Sequence, residues 1–144
     1  MAMQGLDGGR INIGTCSIGA AQRAFDITRE YVQVRKQFGN PLARNQHIQF
    51  QLAEMAQKIV SSRLMIRNAA TLLDAGHPAA RSTCAMAKRH ATDACFEVCN
   101  AALQLHGGYG YLKDYPLERF VRDARVHQIL EGEFQPWISL CFFA

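Results

Sequence analysis

Apolar side chains recur at intervals of three, four and seven residues along most of the chain, which is the spacing of one face of an α-helix. The stretches with this pattern are approximately residues 10–35, 45–75, 78–105 and 116–130. Clusters of glycine, asparagine and proline separate them. No segment of convincing length alternates apolar and polar residues as a strand does. The pattern therefore predicts an all-α protein without a sheet.

Helices of this length joined by short loops pack best as antiparallel neighbours, so we expect an up-and-down four-helix bundle. Gly14 and Gly19 inside the first helix indicate close packing against a neighbour. Gly76 is placed to end the second helix, and Pro116 to begin the fourth. The predicted inward-facing residues are Ile11, Ile18, Ala21, Phe25 and Val32; Ile48, Leu52, Met55, Ile59, Leu64, Met65, Ala69 and Leu72; Ala85, Ala91, Cys95, Val98, Cys99, Ala102 and Leu105; and Leu117, Phe120, Val121, Ala124 and Ile129.

The composition fits one globular domain or part of a longer chain, with 144 residues of which 49% are hydrophobic. A net charge of +4 without a recognisable motif does not favour nucleic-acid binding. Basic neighbours such as Lys88 and Arg89 are typical of solvated helix faces. No apolar stretch reaches the roughly 18 residues of a membrane span. The first residues resemble neither a signal peptide nor a transit helix, so any targeting segment is expected to be absent.

The five cysteines indicate reduced, buried thiols of an intracellular protein, because their number is odd and no Cys-x-x-Cys pair occurs. Cys95 and Cys99 lie four residues apart on one helix face. No second ligand pair stands near them, so core packing is favoured over metal binding. His90, His106 and His127 also lack metal-ligand spacing, and no metal site is expected.

The most informative pattern lies in residues 104–132. Three glycines within four residues, beginning at Gly107, end a helical stretch and allow the backbone to approach a partner closely. A charged helix follows, and an apolar segment then ends in Glu131 and Gly132. A carboxylate next to glycine at this place is a candidate general base.

Three separate segments resemble the C-terminal helical domain of the acyl-CoA dehydrogenases. They are Leu-Asp-Gly-Gly-Arg at 6–10, Val-Arg-Lys-Gln-Phe-Gly at 34–39 and Gln-Leu-His-Gly-Gly-Tyr-Gly-Tyr at 104–111. They follow the family order, and the resemblance covers residues 5–132. The segment 125–132 is most similar to the members that act on short and branched acyl chains. The N-terminal helical domain and the middle β domain of that family have no counterpart here.

The resemblance implies that Glu131 is the base that removes the α proton of an acyl-CoA substrate while hydride leaves the β carbon. Some members place the base on the first helix instead, but Gly9 occupies that position here. Arg10 and Asp7 match substrate-side positions, with an ordinary charge pair at a helix start as the alternative. Gly132 is expected to leave room for the thioester.

The resemblance also implies FAD as cofactor, partly bound across a subunit interface. Arg35 matches the arginine that reaches the FAD pyrophosphate of a neighbouring subunit, which suits a guanidinium fork. We therefore expect a homo-oligomer, a dimer or a tetramer, and electron-transfer flavoprotein as partner of the whole enzyme. The further positions that match FAD-side residues are Phe38, Gln46, Gln104, Leu105, His106, Gly107 and Gly108.

Residues 133–144 depart from the family pattern, because Glu133 replaces a hydroxyl residue and Pro136 interrupts the expected helix. We interpret this segment as a divergent or truncated tail. The isolated chain is expected to be inactive, and a non-catalytic helical oligomerisation module is the alternative. The resemblance places the protein in the mitochondrial matrix of a eukaryote or the cytoplasm of a bacterium.

Overall fold

The computed structural model describes residues 2–132. Its four helices are α1 Ala2–Val34, α2 Gln46–Asp74, α3 Ala80–His106 and α4 Leu117–Ile129. The predicted all-α four-helix bundle is confirmed. Helix α1 begins earlier than predicted, because the glycines near its start do not interrupt it. The predicted tail, residues 133–144, lies outside the described part of the chain.

Helix α3 lies at the centre of the bundle, and 14 of its 27 residues are buried. Small side chains dominate this helix, so its neighbours approach closely. Helix α1 does so at Gly14, where an added Cβ would lie 3.5 Å from the Cβ of Ala91 and 3.2 Å from the Cγ1 of Ile66. Gly19 faces open space instead, so close packing was predicted correctly for only one of the two glycines.

The helix ends follow local side-chain chemistry. Asn45 caps α2 by accepting a hydrogen bond from the backbone N–H of His47 at 2.9 Å. Gly76 after α2 and Gly107 after α3 have φ of +61° and +57°, a conformation that favours glycine. Pro116 is the N-cap of α4, one position before its predicted place.

A short antiparallel ribbon joins α1 to α2, so the expectation that no sheet occurs is wrong for four residues. Lys36–Gln37 pairs with Asn40–Pro41. Phe38 and Gly39 between them have φ of +51° and +81°. Positive φ at both central residues is characteristic of a tight type I′ hairpin, which needs no alternating pattern to form.

Two predicted inward-facing residues are exposed. Leu64 is 62% exposed, because it lies about 140° around the helix from Ile59 while Ile66 continues the buried face. Ile129, at the last turn of α4, is also exposed. Hydrophobic character alone did not separate these positions from their buried neighbours.

The cysteine prediction holds for three residues. Cys84, Cys95 and Cys99 are buried free thiols, whereas Cys16 is exposed on α1. Cys141 lies outside the described residues. Burial raises the pKa of Cys95 to about 11 and that of Cys99 to about 12. In residues 2–132 no helix combines the length and hydropathy needed to cross a bilayer. The same part of the chain contains no metal-binding group of three or more candidate side chains.

Candidate active site

The turn after α4 brings Glu131 against the beginning of α1. A Cβ added to Gly9 would lie 2.5–2.7 Å from the carboxylate atoms of Glu131, so only glycine leaves room for this contact. Glu131 itself has φ of +59° and Gly132 has φ of +102°. The first of these values is uncommon for a residue with a side chain. The structure thus brings Gly9 and Glu131 into contact, although they are far apart along the chain.

Arg10 and Asp7 form a buried ion pair beside this turn. Both residues are 4% exposed, and Nη1 of Arg10 donates to Oδ1 of Asp7 at 3.0 Å. Nε of Arg10 also donates to the backbone carbonyl of Glu131 at 3.4 Å. Arg81 on α3 approaches the other Asp7 oxygen at 3.7 Å. Because buried charges are costly unless paired, Asp7 holds Arg10 in a position to contact the turn of the candidate base.

The carboxylate of Glu131 accepts no hydrogen bond from any donor in residues 2–132. Arg10 binds the backbone of Glu131 and not its side chain. The carboxylate oxygens therefore remain available to accept a proton from a ligand placed above them. This arrangement suits a general base and does not suit a purely structural ion pair.

A second cluster surrounds a surface cavity of about 420 Å³ at the far end of α1. The guanidinium carbon of Arg35 lies 5.0 Å from the centre of the Tyr109 ring, so a cation–π contact orients this side chain. An added Cβ would meet nothing within 4 Å at either Gly107 or Gly108. The residues that line the cavity are Tyr31, Arg35, Gln37, Leu42, Gln104, Leu105, His106, Gly107, Gly108, Tyr109 and Leu112.

His106 lies deepest in this lining and is 3% exposed. Its ring stacks on Tyr31 with centroids 4.0 Å apart, and Nδ1 bonds the carbonyl of Ala102 at 2.9 Å. A carbonyl can only accept, so Nδ1 carries the proton. Nε2 is buried without a partner among the described residues. Burial lowers the pKa of His106, and the weaker effect of the Ala102 carbonyl opposes that shift.

Phe38 and Gln46 do not line the cavity. Phe38 is fully exposed at the tip of the hairpin, and Gln46 is exposed at the first residue of α2. Their side chains are available to another molecule or another copy of the chain. Their assignment to a cofactor therefore stays a prediction.

The two clusters lie at opposite ends of the bundle. Arg10 and Arg35 are separated by 25 residues of essentially continuous helix, which corresponds to about 38 Å. This distance exceeds the reach of one dinucleotide cofactor. One dinucleotide therefore could not contact both clusters, the candidate half-sites.

A family model described as the C-terminal domain of acyl-CoA dehydrogenase matches residues 1–135. The chain belongs to the acyl-CoA dehydrogenase family.

Individual acyl-CoA dehydrogenases show the same relationship. The chain is 61% identical to mitochondrial isobutyryl-CoA dehydrogenase of Bos taurus over 132 residues. The matched region is 92% of this chain and 32% of that protein. Butyryl-CoA dehydrogenase of Megasphaera elsdenii has a TM-score of 0.91 at 40% identity, over 95% and 36% of the two chains. An acyl-CoA dehydrogenase of Bacillus anthracis complexed with FAD has a TM-score of 0.86 at 29% identity, and the matched region is 92% of this chain and 26% of that chain. The chain thus spans about a third of the length of its curated relatives.

Sequence reasoning missed one residue of this acyl-CoA dehydrogenase domain. Lys88 was predicted to lie on a solvated face, but it is 4% exposed. Its Nζ donates to the carbonyls of Gln128 at 2.9 Å and Gly132 at 3.1 Å. The available signal was its spacing, since Lys88 follows Cys84 by four residues and precedes Ala91 by three, on the buried face of α3.

Proposed function

We propose that this chain is the C-terminal domain of an FAD-dependent acyl-CoA dehydrogenase that oxidises a short or branched acyl-CoA to the 2,3-enoyl-CoA. The observation that carries the proposal is the Glu131 carboxylate, which lies against Gly9 and accepts no hydrogen bond from residues 2–132. The name of the bovine relative, isobutyryl-CoA dehydrogenase, supports a short branched substrate.

In the proposed reaction Glu131 accepts the proton from the α carbon of the thioester. Gly9 and Gly132 leave space on both sides of the carboxylate, because neither adds a side chain. Arg10 holds the backbone carbonyl of Glu131, and Asp7 holds Arg10, so the base is anchored to α1. FAD, when bound, takes the hydride that leaves the β carbon.

The second cluster fits part of an FAD molecule. A guanidinium at Arg35 suits pyrophosphate oxygens, and the two bare glycines let backbone approach a ligand closely. The FAD complex of the Bacillus anthracis relative supports this assignment. The residues proposed to contact FAD are Arg35, Phe38, Gln46, Gln104, Leu105, His106, Gly107 and Gly108.

Because the half-sites lie about 38 Å apart, we propose that two copies of the chain build each complete site. We expect the isolated domain to be inactive and flavin-free, because it spans only 32% of its bovine relative. In the whole enzyme, electron-transfer flavoprotein reoxidises the cofactor. The mitochondrial bovine relative supports a mitochondrial location.

The outer face of α2 favours a second candidate function, a helical module for self-association. Phe50, Val60 and Leu64 are exposed and fall within an arc of about 80° around the helix. Exposed apolar side chains grouped in this way suit a protein interface. This function does not require Glu131.

The test is a chimera in which residues 1–132 replace the matched region of bovine isobutyryl-CoA dehydrogenase, followed by the host's own C-terminus. Glu131→Gln keeps the shape of the side chain but removes its proton affinity. We expect FAD to stay bound while the rate of flavin reduction by isobutyryl-CoA falls by about 10²–10⁴-fold. Arg35→Ala should instead lower the FAD content of the purified protein.

Glu97→Gln is the matched control, because Glu97 is an exposed carboxylate on α3 that pairs with Lys58. It should leave both the FAD content and the reduction rate unchanged. A Glu131→Gln chimera that reduces flavin at the unaltered rate would assign the base elsewhere. For the isolated chain, a self-associated protein without a flavin absorbance band is the expected result, and stoichiometric flavin would contradict it.

A further inference from the structure

We propose that Lys88 is a positioning residue for Glu131, which it serves by clamping the turn that carries the base. The ammonium group binds one carbonyl before Glu131, that of Gln128, and one after it, that of Gly132. Both of these contacts are with backbone carbonyls, so they act on the position of the turn. The inference rests on the proposed role of Glu131 and adds a residue that the sequence motifs do not include.

The clamp acts where α4 ends. The last carbonyls of a helix have no partner within the helix, and they form the negative end of its dipole. A cation that donates to the Gln128 carbonyl therefore satisfies one of these groups and offsets the dipole. Leu130 makes the last backbone hydrogen bond of α4, to the carbonyl of Val126 at 3.0 Å.

Beyond this bond the chain must turn back sharply, and Glu131 does so in the left-handed region with φ of +59°. This conformation is unfavourable for a residue with a Cβ, so the surroundings have to impose it. Lys88 bonds to both sides of the turn, and Arg10 bonds to the carbonyl of Glu131 itself at 3.4 Å. Two buried cations on two different helices thus hold three carbonyls at the turn, those of Gln128, Glu131 and Gly132.

The burial of Lys88 makes the clamp rigid. The residue is 4% exposed and stands on α3, the central helix, so the ammonium has little freedom to move. Loss of the charge would leave the carbonyls of Gln128 and Gly132 without this donor and would release the turn. The carboxylate would then lose its fixed place against Gly9.

The first experiment uses the 144-residue chain and measures backbone amide hydrogen exchange by NMR. Lys88→Met keeps the length of the side chain and removes the charge. We expect the Leu130 amide to exchange at least about 10-fold faster and the Glu131 backbone shifts to leave the left-handed range. Lys58→Met is the matched control, because it removes an exposed cation that does not contact this turn. Unchanged exchange in Lys88→Met would overturn the clamp.

The second experiment uses the chimera with the bovine enzyme. Lys88→Met should slow flavin reduction by about 10–100-fold while the KM for isobutyryl-CoA and the FAD content stay within about twofold, as expected for a misplaced base. Lys88→Arg should restore most of the rate, because it also donates to carbonyls. A parallel loss of FAD, or no recovery with arginine, would indicate a merely structural residue and overturn the inference. Full activity of Glu131→Gln would instead overturn the proposed function, whatever the exchange data show for Lys88.

Discussion

At the scale of single residues, Gly9 sets how closely Glu131 approaches α1. A methyl group there would overlap the carboxylate, at 2.5–2.7 Å from its atoms, and would displace it by about 1 Å. We expect Gly9→Ala in the chimera to slow flavin reduction by roughly 10–100-fold without loss of FAD. Gly8→Ala is the control, since nothing lies within 4 Å of a Cβ at that position. Equal reduction rates in the two variants would contradict this geometry.

We expect the stability of the folded protein to depend on pH because of His106. Burial lowers its pKa from the ordinary value of 6.5, and burial likewise lowers the pKa of His127. The folded protein therefore favours neutral histidine. The stability that this preference provides is present above pH 6.5 and is lost as the pH falls from 6.5 towards the lower folded pKa.

We expect His106→Phe to reduce this loss, because phenylalanine can stack on Tyr31 and carries no buried Nε2. The measurement is the free energy of unfolding in urea at about pH 7.5 and about pH 5. Exposed His47→Ala should keep the original pH dependence. If His106→Phe loses as much stability on acidification as the unaltered protein, His106 is not responsible.

The sequence motifs singled out residues that the structure brings together, whereas burial that depends only on packing was missed. Glu131 and Arg10 were identified from sequence, and the structure brings them together although 121 positions separate them. Lys88 was assigned to the solvent because most lysines are exposed. Its spacing on the buried face of α3 indicates burial, but its partners, the carbonyls of Gln128 and Gly132, cannot be inferred from α3. Nor did the sequence indicate that Phe38 and Gln46 do not line the cavity.

At the scale of helices, Gly14 and Gly19 of α1 allow a direct comparison between a closely packed glycine and an open one. Gly19→Ala should raise the free energy of unfolding by about 0.5–1 kcal/mol, because alanine is the better helix former and the site is open. Gly14→Ala should lower it by about 1–3 kcal/mol, because the methyl group crowds Ile66 and Ala91. Urea titrations measure both changes. Equal shifts in the two variants would show that α1 does not pack closely at Gly14.

Helix positions followed from periodicity and from breakers. Gly76 and Gly107 end α2 and α3 where predicted, because each supplies the positive φ of a helix terminus. The ribbon near Phe38 was missed, since two-residue strands carry no pattern and depend on the turn between them. The exposure of Leu64 was missed because it depends on where Leu64 lies around α2 relative to the neighbouring helices. The hydrophobic character of the residue does not reveal this position.

At the scale of the whole molecule, the separation of the half-sites predicts complementation. Chimeras with Glu131→Gln and with Arg35→Ala are each expected to be inactive. Hetero-oligomers contain one site built from an intact Glu131 and an intact Arg35. Co-expression of the two variants should therefore restore roughly one quarter of the unaltered activity if subunits pair at random. Absence of recovery, with mixed oligomers verified by differential tags, would place both residues in one subunit's site.

The single helix α1 fixes the relative direction of the two half-sites as well as their distance. The 25 residues from Arg10 to Arg35 make close to seven full turns, so both residues leave the helix on the same side. Inserting one residue between them would rotate one half-site by about 100° relative to the other, whereas inserting seven would nearly keep the angle and add about 10 Å. Length changes inside α1 are therefore far more disruptive than changes in the connecting loops, and related proteins should vary in length outside this segment.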